Sequence, residues 1–360
     1  MTSPKLSESI SLRGLTVRNR IWVSPMCQYH VRDEDGIPEM WHQVHYGGLA
    51  NGGFGMVMAE ATGVVPEGRI SPRCTGIWLD AHTEAWRPIV SFVHEQGASM
   101  GIQLNHAGRK ASTVPMLPNM NARGTVPPEQ GGWVAAGPSP IAARGQAEPR
   151  AMSTNEVRAL PGQFAAAAQR AVDAGFDTVE VHAAHGYLLH QFLSPLSNTR
   201  DDDYGGSFAN RTRLTREVVQ AVRDTIPEQM PLLLRISATD WAEGGWALEE
   251  TVELAAQLRD LGVDLIDVST GGNVHAQIPV GPAYQVPFAS AVRKAGIPTG
   301  AVGMITDAQQ AEQVLVDEHA DVVLLGREAL RMPTWPIHAL KDLGAERDAL
   351  PFPDSYFRAW

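Results

Sequence analysis

Three side chains that can donate hydrogen bonds or protons lie close together near the middle of the chain: His182, His185 and Tyr187. They follow residues 177–181, a β-branched run that is typical of a buried strand. In parallel α/β proteins, functional groups lie at the carboxyl ends of strands. A lone histidine there is most often an ordinary loop residue, but two imidazoles and a phenol can direct hydrogen bonds at one small ligand. We therefore predict a binding or catalytic site at this strand end.

Short apolar segments along the chain predict the strands that position this site. The segments are residues 21–24, 55–61, 99–104, 178–182, 232–236, 265–269, 299–302 and 322–325. Their nearly continuous hydrophobicity is typical of strands buried on both faces of a parallel sheet. Helical patterns fall between them, at residues 84–96, 155–174, 210–226, 248–261, 283–295 and 307–316.

The alternation of these strands with about eight helices predicts a (β/α)8 TIM barrel, and we expect residues 1–360 to form a single domain. A doubly wound sheet is disfavoured because no G-x-G-x-x-G turn follows the first strand. Two segments fall outside the repeat. Residues 7–18 predict a short N-terminal β-hairpin that closes the bottom of the barrel. Residues 112–149 form a long loop after the third strand, which is either a wall over the site or a surface insertion.

Composition excludes several classes of function. The formal net charge of −11 disfavours a nucleic-acid partner or an anionic membrane surface. No apolar run approaches the ~20 residues of a membrane helix, and the first residues lack the apolar core of a secretory signal. With only two cysteines, Cys27 and Cys74, we expect a cytoplasmic protein without a disulfide framework or an iron–sulfur cluster.

The predicted barrel brings the residues that follow its strands to one mouth. Gly303 and Gly326 follow the seventh and eighth strands, and Arg327 is next to Gly326. Backbone N–H groups at a helix start together with a guanidinium suit a phosphate group. These residues therefore predict a phosphorylated ligand.

Several stretches of the sequence together resemble the old yellow enzyme family. The stretches are SPMCQY at 24–29, EAT at 60–62, QLNHAGRK at 103–110, HAAHGYL at 182–188 and AVGMI at 301–305. They occur in order over nearly the whole chain. Cys27 and the terminal YFRAW at 356–360 resemble the bacterial, thermophilic-like branch of the family.

The resemblance implies an FMN-dependent ene-reductase with NADPH or NADH as hydride donor. Its substrates are small alkenes activated by a carbonyl or nitro group, which take a hydride from flavin N5. It implies that His182 and His185 bind the activating oxygen and that Tyr187 donates the proton. The residues implied to bind the cofactor are Ser24, Pro25, Met26, Cys27, Ala61, Gln103, Arg235, Gly303, Gly326 and Arg327.

The resemblance also implies a homo-oligomer, a dimer or a tetramer, in which the tail at 351–360 reaches the neighbouring active site. Tyr29, Arg358 and Trp360 are then expected to bind substrate together with the two histidines. A role for Cys27 in tuning the flavin and a role as a small buried hydrophobe remain open alternatives. Lys110 is expected either near the flavin phosphate or in solvent.

Two other functions are compatible with the residues themselves. Imidazole pairs bind zinc, so His182 and His185 are also compatible with a metal-dependent TIM-barrel hydrolase, in which Glu180 or His190 would supply a further ligand. A module that binds a flavin or phosphate ligand without turnover is the third hypothesis. The sequence distinguishes neither the natural substrate nor NADPH from NADH.

Overall fold

The protein is described by a computed structural model that covers residues 3–120 and 123–360. Its strands in chain order are β1 (Ile10–Leu12), β2 (Leu15–Val17), β3 (Ile21–Val23), β4 (Met56–Gly63), β5 (Ser99–Asn105), β6 (Ala136–Gly137), β7 (Arg150–Ala151), β8 (Thr178–Ala183), β9 (Leu232–Ser237), β10 (Leu265–Ser269), β11 (Thr299–Ala301) and β12 (Val322–Leu325). Eight of them form a closed parallel barrel in the order β3-β4-β5-β8-β9-β10-β11-β12, and β12 pairs with β3. The predicted TIM barrel is confirmed, and each predicted barrel strand agrees with the structure to within two residues at either end.

Helices surround the barrel. They are α1 (Met40–Asn51), α2 (Asp80–Glu95), α3 (Thr154–Ala174), α4 (Leu188–Leu193), α5 (Phe208–Thr225), α6 (Leu248–Asp260), α7 (Val286–Arg293), α8 (Ala308–Val316), α9 (Arg327–Arg331) and α10 (Trp335–Asp342). The six predicted helices are present. However, α2 begins at Asp80 rather than at residue 84, and α7 is shorter at both ends than the predicted 283–295.

The predicted N-terminal hairpin is formed by β1 and β2, which pair antiparallel. Leu12 and Val17 pack against Trp22, Met56 and Leu233, which lie near the beginnings of their strands. Burial of these apolar groups closes the amino-terminal end of the barrel, so the opposite end is the open mouth.

The long loop after β5 is folded against the barrel. The hydroxyl of Ser112 donates to the carbonyl of Val126 at 2.7 Å and accepts from the N–H of Trp133 at 2.9 Å. Further along, β6 pairs with β7 just before α3 begins. Among the described residues, every helix is too short or too polar to cross a lipid bilayer.

Candidate active site

His182, His185 and Tyr187 lie together at the carboxyl end of β8. The ring centroids of His182 and His185 are 5.3 Å apart, and those of His182 and Tyr187 are 5.0 Å apart. His182 is the penultimate residue of the strand and is buried, whereas the other two are half-buried. The Nε2 atom of His185 lies 2.8 Å from the hydroxyl oxygen of Ser269 at the end of β10. The structure thus brings the three predicted groups together.

Gly186 makes this close grouping possible. Its φ is +71°, and a Cβ atom there would lie 2.4 Å from the carbonyl oxygen of Gly272. The N–H of Gly186 donates to Nδ1 of His190 at 3.0 Å, and Nε2 of His190 lies 2.9 Å from a carboxylate oxygen of Asp240. Sequence reasoning did not find Asp240, because only the fold brings it to His190.

Burial sets the protonation of these groups. The pKa values of His182 and His185 are held well below the ordinary value, first by burial and second by the nearby charge of Arg235. Burial also raises the pKa of Tyr187 well above its ordinary value, and Cys27 and Cys74 add to this effect. At neutral pH the site therefore presents two uncharged imidazoles and a protonated phenol.

Polar side chains below these residues form the floor of the mouth. Nε2 of Gln103 donates to Glu180 at 2.7 Å, and Nε of Arg235 lies 2.9 Å from Asp267. All four are buried. Burial and the neighbouring Asp267 raise the pKa of Glu180 to about 8, so this carboxyl is largely neutral near pH 7. Arg235 supplies the positive charge of this floor. It lies opposite His182 in the pairing of β8 with β9.

A pocket opens above Tyr187. It has a volume of ≈ 360 Å³. Tyr29, Lys110 and Tyr187 line it together with Thr113, Met116, Ala143, Arg144 and Gln146 from the long loop. The structure thereby favours the wall interpretation of this loop over that of a surface insertion. Lys110 does not project into solvent, because its ammonium group donates to the carbonyl of His185 at 2.7 Å.

The predicted phosphate residues line a second cleft, of ≈ 290 Å³. Gly303, Gly326 and Arg327 all border it, together with Gln285, which sequence reasoning missed. Gly303 has a φ of +116°, and Arg327 is exposed at the first position of α9. The cleft therefore combines a guanidinium with glycine backbone that a ligand can approach closely.

The segment after β3 carries the other predicted cofactor residues. Ser24 is buried and its N–H donates to the carbonyl of Leu325 at 2.9 Å, while Pro25, Met26 and Cys27 are half-buried. A Cβ on Gly326 would lie 3.7 Å from the sulfur of Met26, which brings this segment beside the phosphate cleft. Ala61 lies in β4 at the point where its pairing register with β5 shifts.

Arg358 and Trp360 are not part of the pocket in their own chain. The ring of Trp360 packs against His338, with centroids 4.9 Å apart, and Lys341 lies over it at 5.3 Å. Both partners are on α10, and Arg358 lies over the exposed ring of Phe357. The expectation that these residues reach the active site of a neighbouring subunit stays a prediction.

The geometry disfavours a metal site on the paired histidines. Within the described ranges, the one group of three potential ligands close enough to share an ion is Cys27, Glu60 and Cys74. Glu180, considered from the sequence as a third ligand, points to Gln103 instead. His190 is directed at Gly186 and Asp240. The hydrolase alternative therefore lacks its ligand set.

The model of the NADH:flavin oxidoreductase / NADH oxidase family matches residues 5–346. The chain belongs to this family. The predicted kinship with old yellow enzymes is thereby confirmed, and the protein is a flavin-dependent NAD(P)H oxidoreductase rather than a hydrolase or a binding module.

Known proteins agree with this assignment to the flavin oxidoreductases. An NADPH dehydrogenase from Geobacillus thermodenitrificans (strain NG80-2) is 46% identical over 349 residues, 97% of this chain and 96% of the relative. An NADPH dehydrogenase from Listeria innocua serovar 6a is 44% identical over 357 residues, 99% of both chains. The solved structure of morphinone reductase has a TM-score of 0.79 at 29% identity and covers 99% of this chain and 93% of its own. The old yellow enzyme homologue from Zymomonas mobilis has a TM-score of 0.80 at 27% identity, and the match covers 97% of this chain and 99% of the homologue.

The mouth of this flavin oxidoreductase fits FMN. Several buried polar atoms at the barrel mouth have no hydrogen-bond partner within the described structure, among them Nδ1 of His182, Oγ1 of Thr270 and Oε1 of Gln285. A polar ring system bound over the barrel floor would supply partners for such groups, which are costly when left unpaired. The adjoining cleft with Arg327 suits the phosphate end of the same cofactor.

Proposed function

We propose that this flavin oxidoreductase reduces the C=C bond of α,β-unsaturated carbonyl or nitro compounds at the expense of NADPH or NADH. The observation that carries the proposal is the grouping of two uncharged imidazoles and one protonated phenol at the end of β8, where the phenol of Tyr187 lines a pocket. Such a set can bind an oxygen atom and protonate a carbon near it, and these are the two polar tasks in reducing an activated alkene.

His182 and His185 bind the activating oxygen of the substrate. Each neutral ring carries one N–H group, which can donate a hydrogen bond to the substrate oxygen. These bonds strengthen as negative charge develops on the oxygen, which is how an oxyanion hole lowers a barrier. Ser269 holds Nε2 of His185, so we assign the bond to substrate to its Nδ1 atom.

Tyr187 donates the proton to the carbon next to the activating group. Its raised pKa keeps the hydroxyl protonated over the whole neutral range. The turn at Gly186 fixes the ring beside His182, so the acid and the oxygen-binding group meet the same substrate. General acid catalysis of this kind contributes roughly 10²–10⁴-fold.

The residues assigned to the cofactor divide into two sets. Gln103 and Arg235, with Ser24, Pro25, Met26, Cys27 and Ala61, would hold the ring system, and Gly303, Gly326 and Arg327 the phosphate. Bound FMN would supply the hydride chemistry that connects NAD(P)H with the alkene. Arg235 contributes a fixed positive charge from the floor, which favours a cofactor that gains electrons.

Substrate enters past Tyr29 and the long loop, which border the pocket above Tyr187. We further propose a homo-oligomer, located in the cytoplasm, whose tail completes the neighbouring site. Tyr356 and Phe357 are 55% and 53% exposed in the single chain, an unusual position for aromatic rings. In the sequence, Arg358 stands between these two rings and Trp360. Interfaces are commonly anchored by residues of the types Tyr, Trp and Arg.

Anaerobic turnover of NADPH with 2-cyclohexenone tests the proposed reaction. We expect NADPH oxidation to depend on the enone and to yield cyclohexanone in equal amount. Cyclohexene, which lacks the activating carbonyl, serves as the control substrate and should not be reduced. NADPH oxidation that proceeds without formation of cyclohexanone would refute the alkene specificity while leaving the family assignment intact.

A further inference from the structure

The only two cysteines of the chain lie close together in an apolar cluster with Tyr29 and Tyr187, two residues that line the pocket. The sulfur atoms of Cys27 and Cys74 and a carboxylate oxygen of Glu60 all lie within 4.8 Å of one another. Both cysteines belong to the small apolar cluster that contains Tyr29 and Tyr187. The reaction proposed above uses neither Cys74 nor Glu60.

The two thiols differ in access. Cys27 is half-buried on the segment after β3, whereas Cys74 is completely buried behind it. An accessible thiol with a second thiol beside it is the usual arrangement of a cysteine that is oxidised and then resolved. Cys74 lies in a turn closed by the bond from its N–H to the carbonyl of Ser71 at 3.0 Å. Neither cysteine is in a helix or a strand, so the two sulfurs can approach bonding distance, about 2.05 Å, without disrupting the barrel.

Glu60 is placed to accept a proton from the buried thiol. One of its oxygens accepts from the N–H of Gln28 at 3.1 Å, and the other lies 3.4 Å from the hydroxyl of Tyr46 and 3.4 Å from Nε2 of His42. These contacts hold the carboxyl group within reach of both sulfurs.

We propose that Cys27 and Cys74 form a reversible disulfide when the enzyme meets a peroxide. The thiolate of Cys27 attacks hydrogen peroxide, which takes up a proton, and the products are a sulfenic acid on Cys27 and one water. The sulfur of Cys74 then attacks the sulfur of the sulfenic acid. Cys74 gives its proton to Glu60, and Glu60 passes this proton to the leaving hydroxide, so that a second water departs as the S–S bond forms. A dithiol reductant returns both thiols.

The same three side chains fit thiol chemistry better than a metal ion. Burial and the adjacent Cys27 raise the pKa of Cys74, which keeps it a thiol at rest. Two thiolates and a carboxylate around a divalent cation would bury a net negative charge, which is costly. Within the described parts of the chain, the group has three members rather than the four of a closed zinc site.

The test treats the FMN-loaded enzyme with a small excess of hydrogen peroxide in the presence of a chelator. The protein is then unfolded in the presence of an alkylating reagent, which blocks both exposed and formerly buried free thiols, and it is analysed by mass spectrometry with and without reduction. We expect loss of the mass of two hydrogens, a peptide pair linked through Cys27 and Cys74, and full recovery of both thiols with dithiothreitol. Oxidation of Cys27 to a sulfinic acid with Cys74 still free would overturn the proposal, as would two thiols that stay reduced.

Variants separate the steps. Cys74→Ser and Cys74→Ala remove the resolving thiol, so a sulfenic acid on Cys27 should persist and react with dimedone. In the wild type, the sulfenic acid should be short-lived, so little dimedone adduct should form. Glu60→Gln keeps the shape of the proton acceptor but removes its charge, so the same disulfide should form more slowly. A link that forms equally fast in Glu60→Gln would remove Glu60 from the mechanism. Because every readout concerns thiols, a failure of alkene reduction leaves this test unaffected.

Discussion

The ring of Tyr187 stands edge-on to the ring of His182, with planes at 69° and centroids 5.0 Å apart. His185 lies on another side of the same imidazole, at 78° and 5.3 Å. The three side chains are therefore close enough for one small ligand to contact all of them. Because the rings come from a strand end and the turn after it, their spacing depends on the backbone between residues 182 and 187.

Phenols should bind to the FMN-loaded enzyme by placing their oxygen between the two imidazoles. His182→Ala or His185→Ala should each weaken this binding by about 1.5–3 kcal/mol, the contribution of a hydrogen bond to a charged group. Titration of the long-wavelength absorption band of the complex measures the affinity. His319→Ala, which changes an imidazole beside Ser290 outside the site, is the matched control. Equal affinity in wild type and both site variants would contradict the assignment.

The same titration has a predicted pH dependence. The pKa values of both imidazoles are lowered by burial, so both rings stay neutral from about pH 6 to 8. We therefore expect no loss of phenol affinity from imidazole titration in this window. An ordinary surface histidine would titrate within it.

Gly186→Ala should displace Tyr187 from its place beside His182. The new Cβ would lie 2.4 Å from the carbonyl oxygen of Gly272, and the φ of +71° disfavours any residue with a side chain. We expect weaker phenol binding and slower alkene reduction, measured by the titration above and by single-turnover kinetics. Gly162→Ala is the matched control, because a Cβ there meets nothing within 4 Å on α3 and should stabilise the helix by roughly 0.5–1 kcal/mol. Unchanged kinetics in Gly186→Ala would show that the turn tolerates a side chain.

Deletion of residues 356–360 should weaken self-association and alter the KM for the enone, with FMN still bound. Sedimentation beside steady-state kinetics measures both. Arg358→Ala should change KM, because it removes one side chain from the proposed neighbouring site, and should weaken self-association less than the deletion, because all the aromatic rings remain. An unchanged oligomer together with an unchanged KM would leave the tail without a role across an interface.

The capping box at the start of α3 predicts a pH-dependent stability. Glu156 accepts from the N–H of Ser153 at 2.8 Å and pairs with Arg150 at 2.7 Å, and these contacts, Arg150 first, lower its pKa to about 2. A carboxyl group whose pKa is lowered in the folded state stabilises that state fully at pH values above its pKa in the unfolded chain, about 4.3. This stabilisation is lost as the pH falls towards 2. Glu156→Gln should therefore lower the free energy of unfolding at neutral pH, with a difference from wild type that shrinks below about pH 4. Urea denaturation measures this, with the exposed Glu148→Gln as control.

The barrel could be predicted because its strands are continuous apolar runs, and residues 265–269 and 322–325 match β10 and β12 at both ends. Helix α1 could not be predicted, because Gly47, Gly48 and two histidines interrupt the apolar face that an amphipathic helix would show. Its position is fixed by packing, as Tyr46 and Leu49 are buried in the core. The short helices α4, α9 and α10 were likewise absent from the prediction.

The candidate site was predictable where it follows the strand-end rule and unpredictable where it depends on register. His182 at the end of β8 and His185 and Tyr187 in the turn after it are neighbours in the sequence, so the sequence alone groups them. The partner of His185, Ser269, comes from β10, and the partner of His190, Asp240, follows β9. These pairs arise from the order of strands around the barrel, which no local pattern encodes. The proximity of Cys27 and Cys74 likewise arises from the fold.

Rapid mixing of the anaerobically reduced enzyme with 2-cyclohexenone tests the proposed alkene reduction most directly. We predict that the absorbance of oxidised FMN returns in step with the formation of cyclohexanone. Tyr187→Phe should slow this step by roughly 10²–10⁴-fold while flavin reduction by NADPH stays unchanged. Tyr204→Phe, which alters a phenol bonded to Glu217 away from the pocket, is the control. Reoxidation without cyclohexanone, or at the same rate in Tyr187→Phe as in wild type, would contradict the proposal.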